Sequence, residues 1–269
     1  RHLRLGTRGS TFVRYHRDSP GMPPLLLLHG WTATSDLNWS TSYGALAERY
    51  SFVAIDMRGH GRGLRTRETF TLEDCADDAA LALDCLGVDK VIVVGYSMGG
   101  AVAQLFWRRH FQRCEGIVLC ATSATFNDTP RERMLFGGLT SVGVVARFTP
   151  ADLRTRAVTR YLSKRTDADL REHASPEVTR HDWLHVIQAG REIGRFDARK
   201  WIRGIDLPAA TVLTTEDIIV PPARQADLFS RIPGATLHTV YGGHPVCVTH
   251  PDRFVPAFCD ALASVQRRC

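Results

Sequence analysis

The 269-residue sequence predicts an α/β fold: a mostly parallel central sheet flanked by helices, with a helical cap inserted late in the series. Three observations carry this. Strand-length apolar runs alternate with helix-length segments over the first 120 residues or so, the pattern of strands joined by crossover helices. Between Ser123 and Arg203 the pattern turns wholly helical, and the alternation then resumes. One apolar run, Val91–Val94, leads into Gly95-Tyr96-Ser97-Met98-Gly99 directly before a helix-like stretch, which places Ser97 on a sharp strand-to-helix turn. The expected division is a core of residues 1–122 and 204–269 and a cap of residues 123–203.

The elements follow in order. Thr11–His16 is a strand expected to hairpin, through Asp18-Ser19-Pro20-Gly21, into a second strand over Pro24–His29. Tyr43–Arg49 is helical and Phe52–Asp56 extended. Leu72–Leu86 is an amphipathic helix stopped by Gly87, a residue that enters the left-handed region without a Cβ penalty. Lys90–Val94 is a buried strand, Gly100–His110 a helix and Gly116–Ala121 the next strand. Within the cap, Gly137-Gly138, Pro150 and Pro176 are expected to interrupt the helices. Ala210–Thr214, Pro222–Arg231, Thr236–Tyr241 and Pro251–Val265 complete the alternation as strand, helix, strand and helix.

Composition narrows the class. With 44% hydrophobic and 23% charged residues the chain can bury a sizeable core. No run approaches the roughly 18–20 apolar residues of a membrane helix, so no integral membrane segment is expected. Arg1–Gly6 lacks the apolar region of a signal peptide, although the absence of an initiator methionine is compatible with a removed leader. The net charge is +6, and 15 basic against 10 acidic residues between Ser123 and Arg203 place most of the surplus in the cap. These dispersed charges read first as a solvated, arginine-rich surface, and second as attraction for an anionic substrate, lipid surface or acyl carrier. No nucleic-acid-binding motif accompanies them, so no nucleic-acid partner is expected. The seven cysteines are odd in number and form no Cys-x-x-Cys pair. That suggests buried thiols in a reducing, cytoplasmic setting, and no zinc site.

Ser97 directs the chemical search. A serine hydroxyl needs a base to take its proton and an acid to orient that base, and in an open α/β sheet both should stand at the carboxyl ends of other strands. Of 11 histidines, His244 follows the strand Thr236–Tyr241 through Gly242-Gly243 and so lies on the correct edge. His250 reads as a solvent-facing helix start, His238 lies within a strand, and His29 and His60 belong to glycine turns. The preceding strand's exit offers Glu216 and Asp217. Asp217 is preferred for its short, geometrically fixed side chain, with Glu216 second and Asp128 a distant third. An acyl-transfer site also needs two oxyanion donors. They are the backbone N–H of Met98, behind the nucleophile, and that of Trp31, in the loop His29-Gly30-Trp31-Thr32.

These residues, in the chain order Ser97, Asp217, His244, resemble the α/β-hydrolase fold superfamily. The resemblance spans nearly the whole chain: His29-Gly30, Asp56-Met57-Arg58-Gly59-His60-Gly61, Gly95–Gly99, Asp217…Pro221 and Gly243-His244. Within it the chain looks like capped bacterial serine esterases, haloperoxidase-like hydrolases and meta-cleavage-product hydrolases. It departs from epoxide hydrolases and haloalkane dehalogenases, which carry aspartate where Ser97 stands. Its single Gly30 also departs from the glycine-rich oxyanion loops of some lipases. The resemblance implies a two-step reaction through an acyl-enzyme with no metal or organic cofactor, and a structural role for His60.

The function expected is hydrolysis of a small-molecule carboxylic ester. Apolar cap residues Phe126, Phe136, Leu139 and Val142 are candidates to line an acyl or aromatic pocket, or equally to pack the cap onto the sheet. The alternatives are the same triad acting on a lactone, thioester, amide or carbon–carbon bond, or a non-hydrolytic biosynthetic enzyme or ligand receptor on this fold. The sequence leaves the oligomeric state open.

Overall fold

The computed structural model describes residues 1–17, 22–163, 177 and 179–269. The chain runs β1 (His2–Arg4), β2 (Ser10–His16), β3 (Leu25–Leu28), α1 (Ser35–Ala47), β4 (Phe52–Ile55), α2 (Leu72–Leu86), β5 (Val91–Tyr96), α3 (Met98–Arg109) and β6 (Cys114–Cys120). It continues through α4 (Pro130–Phe148), α5 (Ala151–Ser163), α6 (Trp183–Arg195), β7 (Ala209–Thr214), α7 (Pro222–Arg231), β8 (Thr236–Val240), α8 (Val246–Thr249) and α9 (Pro251–Gln266). The eight strands form a sheet in the order β1-β2-β4-β3-β5-β6-β7-β8, parallel from β4 to β8 and antiparallel at β1 and β2.

The central strands are buried on both faces, and their alternate side chains feed two cores. Leu26, Leu28, Val91 and Val93 pack with α2 and α3 on one side. Leu25, Leu27, Ile92 and Val94 pack with α1 and α9 on the other, where Trp39, Phe254 and Phe258 are fully enclosed. Helix ends follow local chemistry. Thr71 and Asp74 form a reciprocal capping box on α2, and Gly87 closes that helix at φ 64°.

Two expectations are corrected. β2 and β3 do not form a hairpin, because β4 lies between them: Ile55 pairs with Val13 on one side and with Leu28 on the other. A strand with all four residues buried has backbone donors and acceptors on both edges to satisfy, and the intervening position does so. The expected turn at 18–21 lies outside the described residues. Gly137-Gly138 does not interrupt α4, which runs unbroken through 19 residues. A glycine inside a helix costs only about 1 kcal/mol. Against that, α4 has a Thr129–Glu132 capping box, and its Phe136 packs against Gly194 of α6. Pro150 does separate α4 from α5, whereas Pro176 lies outside the described residues.

The turn that carries Ser97 depends on two glycines. A Cβ at Gly95 would collide with the backbone of Gly99, and one at Gly99 with the carbonyl of Leu28. Neither obstacle is a movable side-chain tip, so α3 can approach β3 and β5 only with glycine at both sites. Gly99→Ala is therefore expected to destabilise the fold by about 3 kcal/mol, the upper part of the overpacking range. A urea midpoint unchanged from wild type would contradict this.

Among the described residues no helix is long and apolar enough to cross a membrane. The cysteines are unpaired; Cys75, Cys120 and Cys247 are buried, while Cys85 and Cys269 are exposed.

Candidate active site

Four strand exits meet at the carboxyl edge of the sheet. β5 ends at Tyr96, and Ser97 follows at φ 54°, ψ −116°, a conformation disfavoured for any residue with a Cβ. Its backbone is held on three sides: Ser97 N–H donates to Cys120 O (2.9 Å), and Ser97 O accepts from Gly100 N–H (2.9 Å) and the Thr122 hydroxyl (2.7 Å). The exits of β7 and β8 bring Asp217 and His244 to it. Ser97 Oγ lies 2.9 Å from His244 Nε2, and His244 Nδ1 lies 2.6 Å from Asp217 Oδ2. A carboxylate only accepts, so Nδ1 carries the proton and Nε2 presents a lone pair to the serine hydroxyl.

Asp217 is enclosed but well supplied with donors. Its Oδ1 accepts from Ile219 N–H (2.8 Å) and Val220 N–H (2.9 Å), and its Oδ2 from the Thr214 hydroxyl (2.9 Å). Burial alone would raise this carboxyl. The bond and charge of His244, with the Val220 amide and Thr214 hydroxyl, hold it below the usual carboxylate range instead. The carboxylate is thus kept ionised next to an imidazole. The two other carboxylates considered lie elsewhere. Glu216 is exposed, and Asp128 pairs with Arg199 (2.8 Å).

The fourth exit, after β3, closes over the serine. A Cβ added at Gly30 would sit 3.5 Å from Ser97 Cβ, so this backbone crosses directly beside Ser97. Gly30 N–H donates to Asn38 Oδ1 (2.7 Å), and Ala33 N–H donates to Gly30 O (3.2 Å), closing a turn with Trp31 and Thr32 at its centre. Among the described residues, neither the Trp31 nor the Met98 amide makes a turn, loop or cap hydrogen bond. Behind the turn, buried His29 donates from Nδ1 to Gly30 O (2.8 Å) and accepts at Nε2 from Met57 N–H (2.9 Å). His60, fully buried, donates from Nδ1 to Arg58 O (2.8 Å). His250 is exposed at the start of α9, and His238 lies on β8.

The cap residues separate. Leu139 and the Trp31 indole both lie against Gly190 of α6. Phe136 packs against Gly194, Phe126 is buried against Phe196, and Val142 is half exposed. Several cap arginines are paired, Arg195 with Glu192 and Arg199 with Asp197 among them. Among the described residues, no cluster of three His, Cys, Asp or Glu side chains is placed to hold a metal ion.

Sequence reasoning missed the residues that position this row. Gln225, buried on α7, accepts from Thr214 N–H (3.0 Å) and donates to the Thr214 hydroxyl (2.8 Å) and to Val220 O (2.7 Å), bracing the Asp217 loop. Tyr96 donates its hydroxyl to His244 O (2.6 Å). Asn38 joins the Gly30 amide to Cys247 Sγ (3.3 Å). A glutamine or asparagine within a helix carries no local mark of such a role, since how the helix docks decides which neighbouring loops its side chain meets.

A family profile described as the alpha/beta hydrolase fold matches residues 23–251. A poly(3-hydroxyalkanoate) depolymerase of Ectopseudomonas oleovorans is 27% identical over 93% of this chain and 87% of its own. The enol-lactonase of Burkholderia xenovorans LB400 superposes with a TM-score of 0.82 at 22% identity, covering 98% of this chain and 100% of that one. A thermophilic esterase of Thermogutta terrifontis gives 0.80 at 22% identity, with 99% of each chain covered.

Proposed function

Because the chain belongs to the alpha/beta hydrolase fold family and is thereby a hydrolase, we propose that it cleaves a carboxylic ester through an acyl-enzyme on Ser97. The hydrogen-bonded row Ser97–His244–Asp217 is the observation that carries this reading. His244 Nε2 takes the hydroxyl proton as Ser97 Oγ bonds to the acyl carbon. The carbonyl oxygen becomes an oxyanion facing the Trp31 and Met98 amides, and Asp217 stabilises the imidazolium. When the tetrahedral species collapses, the C–O bond to the alcohol breaks and His244 returns the proton to the leaving oxygen. Water, deprotonated by the same nitrogen, then attacks the acyl-enzyme; the acid departs and Ser97 regains its proton. The relative named for poly(3-hydroxyalkanoate), itself an ester-linked chain, agrees with an acyl–oxygen bond. Leu139, beside the Trp31 indole, supports a hydrophobic acyl or aromatic group, with Phe136, Phe126 and Val142 extending the apolar side of the cap.

Fluorophosphonate labelling, followed by turnover of p-nitrophenyl esters of increasing chain length, tests the reading. Labelling at Ser97 with ester turnover is expected. Labelling without ester turnover would move the assignment to a lactone, thioester, amide or carbon–carbon bond, and a folded protein that takes no label would overturn it. Asp217→Asn should lower kcat by about 10²–10⁴-fold, because an amide can donate to Nδ1 and stabilise the wrong tautomer. An Asp217→Asn enzyme within a few-fold of wild type would remove Asp217 from the row.

A further inference from the structure

The turn that crosses Ser97 contains a backbone conformation its own sequence does not favour. Thr32 stands at φ 61°. At the third position of a turn this left-handed region suits glycine, and a β-branched residue there is strained. Something outside the turn must hold it, and the contacts come from the segment leading into α6. His181 donates from Nε2 to Thr32 O (3.0 Å) and accepts at Nδ1 from Gly61 N–H (2.8 Å). The Trp31 indole N–H donates to Val186 O (2.7 Å), and the Thr34 hydroxyl donates to Glu177 (2.9 Å). His181 is the one of these contacts that grips the strained residue itself.

We propose that His181 is a positioning residue for the oxyanion loop: its imidazole clamps the Thr32 carbonyl to the Gly61 turn, and so fixes the Trp31 amide beside Ser97. This rests on the reading of the Trp31 N–H as an oxyanion donor. The ring is suited to the task because both nitrogens are used and its tautomer is determined. A carbonyl can only accept and an amide N–H can only donate, so Nε2 carries the proton and Nδ1 does not. The clamp therefore needs a neutral imidazole. Its surroundings keep it neutral: the ring is buried, with His60 at 5.4 Å and Trp183 at 5.2 Å between ring centroids. Burial, with the nearby His29 and Arg65, pushes its pKa down to about 4, against the smaller opposing effects of the Thr32 bond and Asp56. The neighbouring Asp182 carboxylate lies 3.1 Å from His185 Nδ1.

A residue that only fastened the cap would behave differently from one that holds Thr32. His181→Phe keeps the bulk of the ring and removes both hydrogen bonds. With p-nitrophenyl butyrate it should lower kcat by about 10–100-fold, approaching the effect of losing an oxyanion donor, with KM changed by less than about three-fold. Fluorophosphonate labelling of Ser97 should slow in parallel. The deciding measurement is a double-mutant cycle with Thr32→Gly, which accepts the left-handed conformation without help. In that background the kcat cost of His181→Phe should shrink to less than about three-fold. An equal cost in both backgrounds, or a loss confined to KM, would overturn the proposal. Should His181→Phe give no cooperative melt, the cycle is run with His181→Leu, which likewise offers neither donor nor acceptor, and the same two outcomes decide. A wild-type protein that neither labels at Ser97 nor turns over ester overturns the functional reading and this clamp together. Normal labelling with an uncoupled cycle overturns the clamp alone.

Discussion

Ser97→Ala is expected to lower ester turnover by at least about 10³-fold while moving Tm by no more than a degree or two. Both halves follow from how the turn is built. The bonds that hold it are backbone bonds, to Cys120, Gly100 and Thr122, and an alanine keeps them all. The φ of 54° is as costly for serine as for alanine, so the substitution neither adds nor relieves strain. The hydroxyl's hydrogen bond is to His244 Nε2, whose ring stays anchored on Asp217 through its other nitrogen. Turnover of a p-nitrophenyl ester with differential scanning calorimetry checks the pair. A folded variant with wild-type turnover would remove Ser97 as the nucleophile.

Acidification should destabilise the protein well before its carboxylates titrate. His29, His60 and His181 form a buried row, tilted in the first pair and edge-on in the second, with ring centroids 5.1 Å and 5.4 Å apart. Burial lowers the pKa of all three, that of His60 strongly, and that of His181 to about 4. Asp56 opposes the shift at His29 and His181, while Arg65 adds to it at His60 and His181. In the unfolded chain these imidazoles titrate near about 6.5. Below that pH the unfolded state binds more protons than the native one, so stability falls as the pH drops, levelling for His181 only below about 4. His181 alone then accounts for about 2 kcal/mol between pH 7 and pH 5, and about 3 kcal/mol by pH 4. Asp182, held down to about 2, and Asp217 contribute stability that is lost only as the pH falls below the ordinary carboxylate value. The two groups of residues therefore act in separate pH windows. Urea denaturation at pH 7 and pH 5 reads the first window directly. Equal unfolding free energies at the two pH values would contradict the neutral row, and His181→Gln should flatten the dependence.

What was legible in the chain shares one property: it is local. Gly87 ends α2, and Gly95 clears the backbone of Gly99 in the turn around Ser97, each acting within a few residues. Asp217 and His244 could be chosen because a parallel sheet sends every strand exit to the same edge, so residues far apart in sequence meet there once the strand order is right. The double glycine of α4 misled because its cost is small, and the packing of Phe136 against α6 is invisible in a local window.

The α/β alternation, the turn at Ser97, and the candidates for hydroxyl, imidazole and carboxylate can all be read along the chain. Those depend on backbone freedom and on the period of apolar residues. That β4 separates β2 from β3, that Gln225 and Asn38 brace the site loops, and that His181 reaches across to Thr32 emerge from packing in three dimensions. Buried donors and acceptors are satisfied by whichever groups the docking of strands, loops and helices brings together, a few positions away for Gln225 and 149 for His181, and no spacing along the chain announces which pairs will meet.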